Sequence, residues 1–272
     1  MIDAAPVPYL AIFLDEIENI IPYQTGDEES MKRYVYLMQT LRSLQHETNC
    51  ISMIVAGVHP TLARKNYFWG DQKNPMHQVI MPRFLKPLEK NECDMMIRSL
   101  GQEIGIDFHN ETSSCIFKKS GGHPYLARQL CNTAYCMNKK PGIISMDVIL
   151  AAAEEYVYNP AKSDYFDDNS LWGELGKSYI WGSEVSKSNH SILLDIASNS
   201  GGLSKNELLS NIETRSGKRL RNFQQDRISF EKAIYGLIER SIVEIDPETK
   251  RYYITIELLQ DWIRIHKLGK SN

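Results

Sequence analysis

The apolar and polar positions along the chain follow different rhythms in its different parts. Tyr9-Leu-Ala-Ile-Phe-Leu14 is apolar throughout and ends in Asp15-Glu16, the pattern of a strand buried on both faces of a parallel sheet. From about Ser30 to His46, Tyr34, Leu37, Met38, Leu41 and Leu44 recur three and four residues apart, which predicts an amphipathic helix covering that sheet. A second apolar run, Ile51-Ser-Met-Ile-Val-Ala56, breaks at Gly57 and Pro60. Strand, helix, strand is the order of a right-handed crossover, so residues 1–82 read as an α/β core with a partial parallel sheet.

After Met81-Pro82 the period becomes helical. Glu89 to Ile104 places Cys93, Met96, Ile97, Leu100 and Ile104 on one side, and Asn110 to Lys118 reads as a helix closed by Gly121-Gly122. Pro124 opens another through Tyr135, and Met146 to Val157 forms a further one. Residues 83–158 are thus a helical subdomain. Periodicity is lost over 159–189, where Asp, Asn, Ser and Gly surround isolated Trp172, Tyr179 and Trp181, and a linker is expected there. In 190–272, helices at Ser191–Ser198, Lys205–Ile212 (with Ser204 able to cap it) and Ile228–Arg240 precede strands at 242–245 and 252–255 and a closing helix at 256–266. Three helices and a two-stranded wing predict a winged helix-turn-helix. The fold class expected is α/β plus a helical subdomain plus a winged helix, helix-rich overall.

Composition narrows the picture. The chain has 272 residues, 31 Lys+Arg against 34 Asp+Glu, and 42% apolar residues, the profile of a globular protein of two modest domains. No apolar run approaches the roughly 18 residues a membrane span needs, and Met1 runs into Asp3 and prolines rather than a signal sequence. A cytoplasmic protein with no membrane partner is expected. The five cysteines are scattered without a C-x-x-C, so neither a disulfide framework nor a zinc site is suggested. The net charge of -3 argues against adsorption of the whole chain to nucleic acid. A local patch is different: residues 204–272 carry 13 Lys+Arg and 10 Asp+Glu, and Arg215, Lys218, Arg219, Arg221 and Arg227 cluster with only Asp226 opposing them. That loop is the candidate contact for DNA phosphates or a protein partner.

The candidate chemistry lies in the order of the motifs. An apolar strand ending in Asp15-Glu16 is followed by a strand ending Val55-Ala-Gly-Val-His-Pro60, then Arg83-Phe-Leu-Lys-Pro-Leu88, then Ser120-Gly-Gly-His-Pro-Tyr-Leu-Ala-Arg-Gln-Leu-Cys131, then the winged helix. Over most of the chain this order resembles AAA+ ATPases, specifically the STAND branch and its relatives with a C-terminal winged helix. The resemblance implies ATP and Mg²⁺ as cofactors, Asp15 as the Mg²⁺-water ligand and Glu16 as the catalytic base. It also implies that His59 lies near sensor 1 and that Gly122-His123-Pro124 is the Gly-x-Pro that touches adenine in the lid. Each element also has a plainer reading. Asp15-Glu16 serves equally as a solvated strand end, Gly121-Gly122 as a helix C-cap with Pro124 at N1, and His59 as a turn residue. Arg64 and Arg83 read as surface residues before they read as arginine fingers.

One departure from that family is large. No Gly-x-x-x-x-Gly-Lys-Ser/Thr occurs, and eight residues precede the first strand, where the family has a strand, a phosphate-binding loop and a helix. Gly173-Glu-Leu-Gly-Lys-Ser178 has Leu171 where the first glycine belongs and no strand before it, and Gly269-Lys270-Ser271 is a tail. The chain is therefore a split product, a cropped reading of a longer protein, or a degenerate member, and ATP turnover is conditional on a Walker A supplied elsewhere. Strands that normally flank Tyr9–Leu14 are not encoded, which predicts an exposed sheet edge or face and self-association or a second subunit completing the sheet. The alternative function is a nucleotide-free adaptor or DNA-binding winged-helix protein.

Overall fold

The computed structural model describes residues 9–22, 27–57, 61–64, 66–68, 72–138, 142–168, 170–177, 183–216 and 224–269. They fall into two compact units, Met1–Arg83 and Phe84–Asn272. It is a helix-rich chain with small parallel sheets.

In the first unit, β1 (Leu10–Leu14) pairs in parallel with β2 (Ile51–Val55), in the register Leu10 to Ile51 through Leu14 to Val55. Between them runs α1 (Glu28–Thr48), opened by Asp27, whose carboxylate accepts the Ser30 N–H at 3.0 Å, and closed by Asn49 at φ 51°. Met31, Tyr34, Val35 and Met38 form its buried stripe and pack with Ile17, Ile21 and Met76, against Leu14, Met53 and Val55 of the strands. The strand's expected burial on both faces is not met. The helix covers one face, while Phe13 and Ile54, which point the other way, are 70% and 56% exposed. A short helix, α2 (Thr61–Arg64), and a bridge between Tyr67 and Lys73 follow.

The second unit begins with α3 (Lys90–Glu103), whose N-terminus is closed by a reciprocal capping box between Glu89 and Glu92. Then come β3 (Ile106–Phe108), α4 (Asn110–Ser120), α5 (Pro124–Asn138), β4 (Gly142–Ile144) and α6 (Met146–Tyr158), with β3 and β4 paired in parallel. Arg98 ties α3 to the start of α4, donating to Asp94 and Asp107, to the Phe108 carbonyl and to Asn110.

The described residues of 159–189 do not form an open linker. They contain α7 (Leu171–Gly176) and the first turns of α8 (Ser183–Ser198). Phe166, Trp172 and Leu175 are buried in one continuous core that also holds Ile97, Leu130, Ile192 and Trp262. Each side chain of this size contributes about 2–3 kcal/mol when withdrawn from water, enough to fold a segment whose sequence lacks a helical period. The Trp172 ring stacks on His190 at 4.2 Å, and Lys267 lies over both Trp172 and Trp262.

The chain closes with α9 (Lys205–Ser216), α10 (Gln224–Glu239), the antiparallel pair β5 (Val243–Ile245) and β6 (Tyr252–Ile254), and α11 (Glu257–His266). Ser204 and Glu207 form a capping box at the start of α9. At the hairpin turn the Asp246 carboxylate accepts the N–H groups of Glu248 and Thr249, both at 2.8 Å. Lys119 of α4 bridges Glu257 and Asp261 of α11, at 3.2 and 3.3 Å. No helix among the described residues is long and apolar enough to cross a membrane.

Candidate functional site

Asp15 and Glu16 stand just past the carboxyl end of β1, where the chain leaves the parallel pair. The neighbouring strand end is held beside them: Ala56 N–H donates to Leu14 O at 2.8 Å and Ile17 N–H to Ala56 O at 3.1 Å. Both carboxylates are exposed. They are engaged locally, since Glu16 N–H donates to Asp15 Oδ1 at 2.9 Å and Asn19 Nδ2 donates to Glu16 Oε2 at 2.8 Å. Glu16 itself takes the left-handed conformation at φ 47°, a strained one for a residue with a Cβ. Mg²⁺ in nucleotide sites is ordinarily held by one or two carboxylates, with waters and substrate phosphates completing its shell. Among the described residues no group of three or more metal-ligating side chains converges. His59 lies outside the described residues. Arg64, at the end of α2, and Arg83 are exposed.

Gly122, His123 and Pro124 belong to the second unit and form the turn between α4 and α5. Gly121 and Gly122 lie at φ 60° and 71°, Gly122 N–H donates to Phe117 O at 3.2 Å, and Pro124 is the first residue of α5. That is a helix C-cap running into an N1 proline. The glycines also admit other parts of the chain. A Cβ on Gly122 would stand 2.3 Å from the Leu88 carbonyl oxygen, and one on Gly121 would stand 2.8 Å from that of Thr255. Leu88 N–H in turn donates to Gly122 O at 2.9 Å.

His123 is the chemically open member of this turn. Its Nε2 shares a 3.0 Å hydrogen bond with the Tyr165 hydroxyl, while its Nδ1 is buried without a hydrogen-bond partner. Burial holds its pKa below the usual imidazole value, so the ring is neutral at pH 7 and one of its nitrogens is a buried, unsatisfied donor or acceptor. Tyr165 lies against both His123 and Tyr125, with ring centroids at 5.3 and 5.1 Å. Burial raises the Tyr165 phenol, which stays protonated. Leu88 and Tyr165 were not singled out by sequence. Leu88 closes the Arg83–Leu88 segment that was, and Tyr165 carried no signal beyond being aromatic in an aperiodic stretch.

The basic cluster is partly redistributed. Arg215 is in the last turns of α9 and Arg227 is exposed in the first turn of α10, so these two sit on helices rather than in one loop. Lys218, Arg219 and Arg221 lie outside the described residues.

No family model and no curated protein sequence matches the chain. Among solved structures it is similar to the RuvB Holliday junction branch migration motor of Thermotoga maritima, at 15% identity over 96% of this chain and 70% of that one, with a TM-score of 0.38. A mutant of the same protein gives 15% identity and a TM-score of 0.39 over 90% of this chain. The ORC2 protein of Aeropyrum pernix, in ADPNP and ADP complexes, gives 16% and 0.36 over 96% of this chain. The chain spans 66% of the length of the latter two, just under two thirds. Likeness this loose carries no weight in assigning a function.

Proposed function

We propose that the chain is a regulatory ATPase module of the AAA+/STAND type. Its adenine contact is the Gly122-His123-Pro124 turn, and the lid at 83–158 passes nucleotide state to a winged helix at 190–272. The observation that carries this reading is the orphaned Nδ1 of His123. An adenine edge offers both an amine donor and ring-nitrogen acceptors, so it satisfies that nitrogen in either tautomer. In this reading Asp15 holds the Mg²⁺-bound water and Glu16 is the catalytic base.

The phosphate end fits less well. No phosphate-binding loop with its Lys-Ser/Thr is present in the sequence. A triphosphate then needs a cradle from elsewhere, and the chain by itself does not turn over ATP. A second subunit or a second copy that completed the sheet at an edge of the β1–β2 pair would also cover its exposed Phe13 and Ile54 face. Titration of the full chain with Mg·ATP, alone and with any copurifying partner, tests this. Binding is expected only with the partner, and His123→Ala removes it.

The second reading is a nucleotide-free adaptor, favoured by the local engagement of Asp15 and Glu16 and by the packing around Gly122. Its winged helix would contact DNA or a protein through Arg215, Lys218, Arg219, Arg221 and Arg227. Absence of nucleotide binding with and without the partner selects this reading. Neutralising Arg219 and Arg221 then weakens DNA binding and flattens its salt slope by about two charges if DNA is the ligand.

A further inference from the structure

In the second unit, α3, α5 and the β3–β4 pair border a half-open cavity of about 150 Å³ that sequence patterning did not suggest. Ile97 and Ile104 line it from α3, Phe108 and Ile144 from the strands, and Tyr135 from α5. Gly101 brings α3 close to the strands, since a Cβ there would stand 2.7 Å from Ile106 O and 3.1 Å from the Phe108 ring. Despite that approach the space remains. Burial raises the Cys131 thiol at its wall to about 12, so this side chain stays neutral and behaves as an apolar surface.

The polar side chains of the cavity are Arg128, Asn132 and, at its hydroxyl, Tyr135. Arg128 and Asn132 stand four residues apart on one face of α5, and both are exposed. Neither has a hydrogen-bond or ion-pair partner among the described residues. Arg98, on the facing helix α3, is the contrast: it donates to Asp94, Asp107, Phe108 O and Asn110. A guanidinium left unpaired beside an apolar recess presents a planar fork matched to a carboxylate, with an amide beside it as a second donor.

We propose that this cavity is a binding site for a small hydrophobic carboxylate, its ring or short aliphatic body among Ile97, Ile104, Phe108 and Ile144 and its carboxylate on Arg128 and Asn132. An apolar cavity of this volume accommodates a benzene-sized body, which sets the size class. The proposal is independent of nucleotide binding and of the winged helix.

Calorimetric titration of the full chain with 4-methylbenzoate tests it, with 4-methylbenzamide and toluene as uncharged comparators. Saturable one-to-one binding of the carboxylate is expected with a Kd below about 1 mM. Arg128→Gln, an exposed change that leaves the core untouched, should weaken it about tenfold while leaving the amide unaffected. Ile104→Trp, at a position 52% exposed at the end of α3, should fill the cavity and abolish binding, with far-UV circular dichroism reporting that the fold is kept. Failure to saturate, equal affinity in the Arg128→Gln protein, or toluene binding as tightly as the carboxylate overturns the proposal. The last result would mark the recess as a seat for any apolar group, including a partner's side chain.

Discussion

Replacing Gly122 by Ala separates a packing role for the Gly-Gly-His-Pro turn from a ligand-binding one. The residue sits at φ 71°, where a side chain costs about 1 kcal/mol. Its Cβ would fall 2.3 Å from Leu88 O and 3.0 Å from the Phe117 ring. The first of these contacts is with backbone, so the overlap cannot be relieved by a rotamer change. The backbone shift that relieves it disturbs the hydrogen bond from Leu88 N–H to Gly122 O, 2.9 Å long, worth about another 1 kcal/mol. With residual strain, Gly122→Ala should cost about 2–4 kcal/mol. Urea unfolding of the full chain, followed by the fluorescence of core residues Trp172 and Trp262, gives the number. Gly201→Ala is the control, because a Cβ at that position would meet nothing within 4 Å, and it should stay within about 0.5 kcal/mol of the parent. Equal midpoints for the two variants would refute the packing argument. If Gly122→Ala then lowered nucleotide affinity at unchanged stability, the glycine would be there for a ligand.

Three further outcomes are expected. A double-mutant cycle on Lys119 and Glu257, 3.2 Å apart and both about a quarter exposed or less, should return a coupling of about 1 kcal/mol in urea unfolding, and a value near zero would mean that this pair adds nothing to the attachment of α11 to α4. Burial lowers the pKa of both His123 and His190 from 6.5, so the unfolded chain takes up their protons first as pH falls. Their contribution is complete above about pH 6.5 and is lost below it as pH drops through the folded values. His123→Gln and His190→Gln should each flatten the fall in unfolding free energy between about pH 7 and pH 5, and an unchanged slope would show the imidazoles to be solvated. Phe13→Glu, on the uncovered sheet face, should change stability by less than about 0.5 kcal/mol and reduce any self-association seen by sedimentation velocity, whereas an unchanged mass distribution would place the association surface elsewhere.

The elements read best from sequence are those whose signals are local. The helix α1 follows from its apolar period, although of the stripe expected there Tyr34 and Met38 are buried while Leu37 and Leu44 are exposed; Ser204 caps α9 as expected, and Asp246 folds its own hairpin turn. The pair β3–β4 escaped because its three-residue strands lie on either side of α4 and α5 with no local turn to mark them, whereas the equally short β5 and β6 flank the Asp246 turn. Residues 159–189 escaped for a different reason: Phe166, Trp172 and Leu175 are single anchors into a core assembled from distant helices, and such anchors leave no rhythm. The run at Tyr9–Leu14 overstated its burial, since continuous apolar character says that both faces want cover and, among the described residues, one face receives it. At the candidate site the motif Gly122-His123-Pro124 was legible, but the carbonyls of Leu88 and Thr255 that fill the space beside its glycines were not, because they come from remote parts of the chain.

Those two carbonyls bear on how a ligand at His123 would be felt. Gly121 abuts Thr255 and Ile256, the residues that lead into α11, and one turn earlier Lys118 and Lys119 of α4 pair with Glu257. The far end of α11 is tied down separately, by His266 on the Val157 carbonyl at 2.9 Å and by Lys267 on Asp168 at 2.8 Å. A group that moved His123 would therefore press on a turn that has no spare volume at either glycine, and close-packed contacts transmit displacement rather than absorb it. The Thr255 to Glu257 segment is the first C-terminal element to receive it, ahead of α9 and α10. Coupling of this kind requires two discrete packings of that junction. The ion pairs from Lys118 and Lys119, which exchange partners at small cost near the surface, are the contacts best suited to differ between them.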